Sequence, residues 1–243
     1  MAHHCATKAN ATSQPLEAAV GHLANIAFYF LLRVGEYTYS GTTQKRRTKQ
    51  FRVKDVTFRS GQYVIPNTAP LNRLLTATSV TLTIDNQKNG IRGQCIHHQC
   101  TGLDTSPVKS LAHRVHHIMS NSNNNTSIPI SAYYRAGTCH HVLSSHINKA
   151  VKSAVSNVGL LSQGFRLQDV SSHSLRAGGA TAMKLRGYDR DTIKKLGRWS
   201  SDTFLTYIHE QIGAFNAGIA ANMSIPIPFH NMAASLQITA QAG

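Results

Sequence analysis

Residues 171–212 read SSHSLRAGGATAMKLRGYDRDTIKKLGRWSSDTFLTYIHEQI. The pattern predicts a helix over 174–186, with His173 at its start and Arg176 one turn later. Side chains three positions apart share one face of a helix, and the first turn of a helix favours an anion. This stretch therefore predicts a phosphate-binding site, and Tyr207 follows on a short helix that can deliver its hydroxyl to that phosphate.

Another arginine stands at the end of a helix predicted over residues 16–34. That helix is apolar on nearly all sides, which is typical of a helix enclosed by its domain. Glu36 follows Arg33 by three residues, and a buried arginine needs such a partner because an unpaired interior charge is costly. The pair either ties off the helix or holds Arg33 towards a ligand phosphate, and the spacing alone leaves both interpretations open.

Together these stretches resemble the tyrosine recombinases, the phage-integrase-like enzymes. The segment Leu32-Arg33-Val34-Gly35-Glu36 matches the Leu-Arg-x-x-Glu that carries the first catalytic arginine of that family. The Gly-Arg-Trp-Ser-Ser at 197–201 is similar to the family's transposon-encoded eukaryotic members. The similarity covers about residues 23–211. It implies an α+β fold, a mainly helical catalytic domain with a small three-stranded antiparallel sheet on one side.

The resemblance also implies which residues are catalytic. In the family's order they are Arg33, Lys88, His173, Arg176 and Tyr207, with Glu36 in support. The family's lysine lies on the second hairpin of the sheet, the place of Lys88, and Arg92 is the alternative. The family has His or Trp nine residues before the tyrosine, but this chain has Arg198 there and Trp199 one position later. Either Arg198 acts as a third phosphate clamp or Trp199 reaches the position by a local shift.

The charge of the chain points to a polyanionic partner. Its 243 residues include 25 Lys and Arg against 10 Asp and Glu, a formal charge of +15. Such an excess favours nucleic acid through counterion release, with an acidic protein or a membrane surface as the alternative. The side chains predicted to contact the DNA backbone are Lys45, Arg46, Arg47, Lys49, Arg52, Arg92, Lys149 and Lys152. A basic run of this kind is otherwise a solvated surface.

The remaining pattern predicts short strands and amphipathic helices. The strands are expected at 53–58, 62–65, 79–84 and 93–98, with a loop over 66–77. Further helices are expected from Ser106-Pro107 onward, over 140–158 with Gly159 as its stop, and from Asp189 or Asp191 to Gly197. In the helix after Ser106, an apolar stripe places His113, Arg114, His116 and His117 mostly on the solvent or DNA side.

Three domains are expected along the chain. Residues 1–15 form a disordered lead, 16–212 the catalytic domain, and 213–243 an apolar tail that docks on its own or a neighbouring protomer. The family generally carries a further clamp domain before the catalytic one, and here only about 15 residues precede the first predicted helix.

The cysteines and the apolar segments indicate an intracellular protein. The four cysteines show no Cys-x-x-Cys spacing, and the first residues lack the apolar core of a signal peptide. Reduced thiols are expected, in a protein located with DNA and in the nucleus if the source is eukaryotic. The apolar stretch 18–32 is too short and too polar for a membrane span. Cys95, His97 and Cys100 lack a standard zinc spacing, so no metal and no cofactor are expected, with structural zinc as the alternative.

The function implied by the resemblance is site-specific cleavage and rejoining of DNA through a 3′-phosphotyrosyl intermediate, without ATP or metal. The expected partners are double-stranded DNA and further copies of the chain, in the tetrameric synapse that the family forms. Three alternatives remain: a catalytically inactive DNA-binding relic of a mobile element, a type IB topoisomerase-like nicking-closing enzyme, and a basic structural protein without a DNA role.

Overall fold

The computed structural model describes residues 1–39, 41, 49–84, 93–164, 166–202 and 204–205. The helices are α1 (Ala2–Ala11), α2 (Pro15–Tyr29), α3 (Val34–Tyr37), α4 (Leu71–Leu75), α5 (Pro107–Asn121), α6 (Ser144–Asn157), α7 (His173–Leu185) and α8 (Arg190–Gly197). The strands are β1 (Val56–Ser60), β2 (Tyr63–Ile65), β3 (Ser79–Ile84), β4 (Gln94–Gln99), β5 (Ala132–Arg135) and β6 (Thr138–His141). The chain divides into a compact unit from Met1 to Phe204 and a second from Leu205 to Gly243. The tail predicted at 213–243 lies outside the described residues.

Helix α2 lies at the centre of the first unit. Its residues from 19 to 27 are all buried, and it contacts α1, α5, α6, α7 and β5. This confirms the prediction of an enclosed helix, because a helix that is apolar nearly all round needs neighbours on every side. No helix within the described ranges is both long and apolar enough to cross a membrane.

Helix α2 ends at Tyr29, earlier than predicted, and the way in which it ends matters for the site. Leu31 has φ of +48°, in the left-handed region, and the Leu32 N–H donates to the Ala27 carbonyl at 3.0 Å. Glycine is the usual residue in this left-handed position at the end of a helix. A leucine adopts the same conformation at a cost in free energy, which contacts with its surroundings have to offset. Its side chain is accordingly buried. Arg33 therefore precedes the separate helix α3 instead of ending α2.

In the part of the chain that the structure describes, the larger sheet is antiparallel, with four strands in the order β2-β1-β3-β4. An α+β fold is therefore confirmed, with one strand more than the resemblance implies because β2 adds an edge. Strand β3 has the predicted bounds, and its Val80, Leu82 and Ile84 point into the core. Strict alternation of apolar and polar residues fixes both the buried face and the limits of such a strand.

Residues 2–11 form a helix, which contradicts the predicted disordered lead. Cys5, Ala6 and Ala9 are buried against the rest of the unit, and their small side chains let α1 approach α2 closely. At Gly21 a Cβ would stand 2.2 Å from the Cys5 carbonyl oxygen. The hydrophobic pattern does not predict this helix, because alanine and cysteine give only a weak amphipathic periodicity. Close packing of two backbones does not appear in that periodicity.

Two further elements were not predicted. Helix α4 lies within the expected loop over 66–77, and the hairpin β5-β6 occupies the start of the helix expected from residue 140. Ala136 and Gly137 both have positive φ, +49° and +76°, which is the requirement of a two-residue hairpin turn. Helix α6 consequently begins at Ser144. Gly159 follows its end with φ of +72°, which confirms the predicted stop.

The predicted core stripe of α5 is confirmed, but the prediction that Arg114 faces solvent is wrong. Arg114 is 2% exposed, and its guanidinium donates to the carbonyls of Ile130, at 3.2 Å, and Ala132. An arginine can lie inside a protein when its N–H groups find acceptors. Here Ala132, the first residue of β5, and Ile130, two residues earlier, supply them, which helical spacing cannot reveal. Burial lowers the pKa of Arg114 to about 10, so it stays charged at neutral pH.

A buried histidine of α2 lies close to Arg114. The His22 ring stacks on that of His113 with centroids 5.0 Å apart, and its Nε2 lies 2.8 Å from Asn10 Oδ1. Burial, and to a lesser extent the nearby charges of His113, Arg114 and His117, lower the pKa of His22 from 6.5 to about 3. The folded chain therefore keeps His22 neutral, while the unfolded chain takes up a proton below pH 6.5.

We expect this histidine to make the fold sensitive to acid. Its contribution is fully present above pH 6.5, and the free energy of unfolding falls below that pH by about 1.4 kcal/mol per unit from this group. Urea titrations at about pH 7.5, 6 and 5 measure the slope. His22→Gln, which cannot titrate, should flatten it. A His22→Gln slope equal to that of the parent chain contradicts the prediction.

Helix α7 crosses α2 at the point where α2 ends, and one glycine permits the crossing. A Cβ on Gly179 would stand 2.3 Å from the Phe28 carbonyl oxygen and 2.4 Å from the Leu31 side chain. A Cβ on the neighbouring Gly178 would meet nothing closer than the Phe28 ring, at 3.8 Å. The close approach of the two helices therefore depends on Gly179 in particular.

The two glycines provide a matched pair of substitutions. Gly179→Ala is expected to lower the free energy of unfolding by about 1–3 kcal/mol, because backbone has to move away from the new methyl group. Gly178→Ala should leave it unchanged or raise it by up to about 1 kcal/mol, since alanine favours a helix more than glycine does. Urea denaturation measures both. Equal effects at the two positions would show that the contact at 179 is not the cause.

Candidate functional site

Arg33 lies immediately before α3, where Glu36 holds it. The Arg33 backbone N–H donates to Glu36 Oε2 at 2.7 Å, and its Nη1 forms an ion pair with Oε1 at 3.4 Å. The Glu36 side chain is 1% exposed, whereas that of Arg33 is 24% exposed. The pair thus ties off the start of α3 and also leaves Arg33 at the surface, as an arginine that binds a ligand requires.

Arg198 lies inside the fold. Its side chain is 1% exposed, and Nη2 donates to Glu36 Oε2 at 2.9 Å and to the Leu31 carbonyl at 3.1 Å. Burial lowers the pKa of Arg198, an effect that the Glu36 carboxylate opposes. Among the described residues its buried Nε and Nη1 find no hydrogen-bond partner, so these contacts offset only part of the cost of burying the charge.

Arg176 projects from the first turn of α7 towards the end of α2. It donates to the carbonyls of Leu31, at 2.6 Å, and Gly197, at 2.5 Å. The Trp199 ring lies over the Arg176 guanidinium, with 4.1 Å from ring centroid to Cζ, a stacking that a flat cation favours. Trp199 also covers Gly197 so closely that any Cβ there would collide with the ring.

The turn at 197–199 brings Arg33 and Arg176 together. Arg33 Nη2 donates to the carbonyl of Arg198 at 2.9 Å, and the preceding carbonyl, of Gly197, accepts from Arg176. Two arginines distant in sequence therefore rest on consecutive peptide groups. We call Arg33, Glu36, Arg176 and Arg198 the arginine cluster. Three guanidinium groups and one carboxylate make it an environment that favours an anion.

His173 stands at the first position of α7, one turn before Arg176. The two side chains leave the same face of the helix, and that of His173 is exposed. Ser171 Oγ accepts the His173 N–H at 3.3 Å, and the Ser172 N–H donates to Asn148 Oδ1 at 2.7 Å. These bonds fix the helix start that presents His173 and Arg176.

Lys88 and its alternative, Arg92, lie outside the described residues. The strands that bound their segment are described, and both are close to the cluster. Ile84, the last residue of β3, lines a cleft that reaches Glu36. Gln94, the first residue of β4, donates to the Lys195 carbonyl in the last turn of α8 at 3.3 Å.

Tyr207 also lies outside the described residues, and the described chain before it ends at Phe204 and Leu205. Phe204 and Leu205 are helical, as predicted for the segment that leads to the tyrosine. The Phe204 side chain is fully buried, and its ring centroid lies 5.2 Å from that of Trp199. The aromatic ring that covers Arg176 therefore also packs against Phe204, the last residue of the first unit.

The described part of the predicted DNA-contacting set lies on two surfaces. Lys45, Arg46 and Arg47 are outside the described residues. Lys49 and Arg52 are exposed and line, with Lys54, the cleft that reaches Glu36. On α6, Lys149 is exposed and Lys152 is half-buried. The cleft joins the basic run to the arginine cluster, while contact with DNA stays a prediction.

The Cys95–Cys100 segment consists of β4 and the residue after it. His97 Nδ1 lies 3.1 Å from Thr81 Oγ1 of the neighbouring strand, so this ring is used in cross-strand pairing. Among the residues that the structure describes, no three His, Cys, Asp or Glu side chains come together as a metal site. All four cysteines are free thiols.

One residue essential to the arrangement was missed by sequence analysis. The Leu31 carbonyl accepts from both Arg176 and Arg198, and the left-handed φ of Leu31 belongs to the same turn. The residue type does not indicate whether a main-chain carbonyl will accept a hydrogen bond from a distant side chain. Gly197 was recognised as a helix stop, but nothing in its identity indicated that its carbonyl would hold Arg176.

Neither a protein-family model nor a curated protein matches this chain. Its function has to be inferred from the arginine cluster and from the charge of the chain.

Proposed function

We propose that the chain cleaves and rejoins double-stranded DNA through a covalent phosphotyrosyl intermediate. The main support is that Arg33 and Arg176 rest on consecutive carbonyls of one turn, with His173 on the same face of α7 as Arg176. Guanidinium groups are permanently charged, planar donor forks that suit a phosphate. The formal charge of +15 supports DNA as the source of that phosphate.

In the proposed reaction the Tyr207 hydroxyl attacks a DNA phosphate in line. The bond from phosphorus to the 5′-oxygen breaks, which leaves a 3′-phosphotyrosyl link and a free 5′-hydroxyl. A phenol with an ordinary pKa near 10 is protonated at neutral pH, so His173 accepts its proton. Lys88 donates a proton to the departing 5′-oxygen, with Arg92 as the alternative donor. The reverse attack by a 5′-hydroxyl rejoins the strand, and no external energy source is consumed.

Arg33 and Arg176 stabilise the charge that builds on the non-bridging oxygens. Donors fixed in place before the reaction are effective because they need no reorganisation as charge develops. Glu36 supplies part of that fixation, since it holds the backbone and the guanidinium of Arg33 from a buried position.

The partners follow from the same chemistry. Double-stranded DNA lies along the basic cleft of Lys49 and Arg52, which leads to Glu36 and so to the arginine cluster. Exchange of strands needs two DNA sites, so the chain acts on DNA as a homo-oligomer. It does so in the compartment that holds the DNA, the nucleus in a eukaryotic cell.

A nicked suicide substrate tests the proposal. Loss of a short 5′-hydroxyl strand from the nick traps the covalent intermediate, and a pool of randomised duplexes avoids the need to know the target. We expect a protein–DNA adduct that survives denaturation, and peptide mapping should place the nucleotide on Tyr207. Salt-sensitive binding without an adduct would indicate a DNA-binding relic. Plasmid relaxation by monomers without strand exchange would indicate a topoisomerase-like enzyme.

A further inference from the structure

Arg198 contacts both supports of the arginine cluster from inside the fold. Its Nη2 donates to Glu36 Oε2 and to the Leu31 carbonyl. The same Glu36 carboxylate holds Arg33, and the same Leu31 carbonyl holds Arg176. One buried guanidinium is therefore linked to each of the other two arginines through a shared acceptor.

The backbone of Arg198 adds another link. Its carbonyl accepts from Arg33, and the preceding carbonyl, of Gly197, accepts from Arg176. Arg198 has φ of +58°, a left-handed conformation that is costly for a residue other than glycine and persists only when its surroundings hold it. The Arg198 side chain, bonded to Glu36 and to the Leu31 carbonyl, is placed to provide that hold.

We propose that Arg198 is a positioning residue, which fixes the turn at 197–199 and thereby sets the spacing of the Arg33 and Arg176 guanidinium groups. The inference rests on the proposed function, because that spacing matters for catalysis only if both groups bind one phosphate. The competing role is a third phosphate clamp through Nε and Nη1, to which no group in the described part of the chain is hydrogen-bonded. Of the three cluster arginines, Arg198 is the least exposed, and its Nη2 is already held by Glu36 and the Leu31 carbonyl, which favours positioning.

The single tryptophan of the chain reports on this turn in the absence of DNA. Trp199 covers Gly197 and stacks on Arg176, so its access to a quencher depends on the geometry of the turn. In Arg198→Met we expect the acrylamide quenching constant to rise about twofold or more, because the stacked ring is released. Arg166→Met removes an exposed arginine paired with Asp169, and this matched control should leave the constant unchanged.

The Arg198→Met chain can fail to fold, since removing one partner of a buried ion pair is strongly destabilising. Two further variants keep the test possible in that case. Arg198→Lys keeps the charge, but a single ammonium replaces the planar fork, so we expect an intermediate quenching constant. The double variant Arg198→Met, Glu36→Gln leaves no buried carboxylate behind and should show the full change. Circular dichroism confirms that each variant is folded. An unchanged constant in a folded Arg198→Met or double variant overturns the proposal.

Single-turnover cleavage separates this inference from the proposed function. If the parent chain forms the adduct, Arg198→Met should form it about 100-fold more slowly, with the Kd for DNA within about threefold of the parent value. Adding Glu36→Gln should slow it little further, because both residues act through one cluster. If the rate losses of Arg198→Met and Glu36→Gln multiply in the double variant, or if cleavage is slow while Trp199 quenching is unchanged, Arg198 contacts the phosphate directly. Either result overturns the positioning role. If the parent chain forms no adduct, the proposed function fails, and Trp199 quenching still decides whether Arg198 fixes the turn.

Discussion

A Tyr207→Phe variant is expected to bind DNA as the parent chain does and to form no covalent adduct. The substitution removes one oxygen atom, the proposed nucleophile, so the reaction is lost and not merely slowed. Adduct on a nicked duplex, resolved under denaturing conditions, measures the chemistry. Fluorescence anisotropy with the same labelled duplex measures the binding.

Tyr188 offers a matched control for this variant. Its side chain is 52% exposed and it lies between α7 and α8, so Tyr188→Phe removes a hydroxyl of the same kind from outside the proposed machinery. We expect it to form adduct at the parent rate. If Tyr207→Phe keeps an undiminished adduct while Tyr188→Phe loses it, the nucleophile has been wrongly assigned.

The second large effect is expected at Arg176. An Arg176→Met variant should cleave about 100- to 1000-fold more slowly than the parent chain, since a preorganised donor to the transition state is lost. Its affinity for DNA should change little, because one buried guanidinium adds few of the phosphate contacts that dominate binding. Single-turnover rates and anisotropy measure the two quantities separately.

A change in the substrate shows whether the loss at Arg176 is electrostatic. A methylphosphonate at the cleaved position has no negative charge for a guanidinium to stabilise. On this substrate the difference between Arg176→Met and the parent chain should shrink to within about tenfold. Arg186→Met, at the exposed end of α7, should match the parent chain on both substrates. A loss at Arg176 that is equally large on the neutral substrate would point to packing instead of charge.

The elements of the fold that could be predicted are those that the periodicity of apolar and polar side chains determines. Strand β3 alternates strictly and has its predicted bounds. Helix α8 begins after Asp189, whose Oδ1 accepts the Thr192 N–H at 2.8 Å, and it ends at Gly197 as expected. In both cases neighbouring residues carry all the information that determines the element.

The parts that could not be predicted depend on contacts between distant backbone groups. Helix α2 ends early because Leu31 adopts a conformation that its sequence disfavours, and α1 packs closely only because Gly21 lies beneath it. The same holds for the site. Spacing suggested that Arg33, Arg176 and Arg198 belong together, but only carbonyl acceptors decide that Arg198 points inward.

The burial of Arg114, Arg176 and Arg198 has a consequence for how this chain first meets DNA. The three groups enter fully into the sum of +15, but they are enclosed, so other side chains make the first contacts with the phosphates of an arriving duplex. The rate of encounter should therefore follow the lysines and arginines that face water. Substitution of the enclosed three should act after the collision, on what the bound complex does.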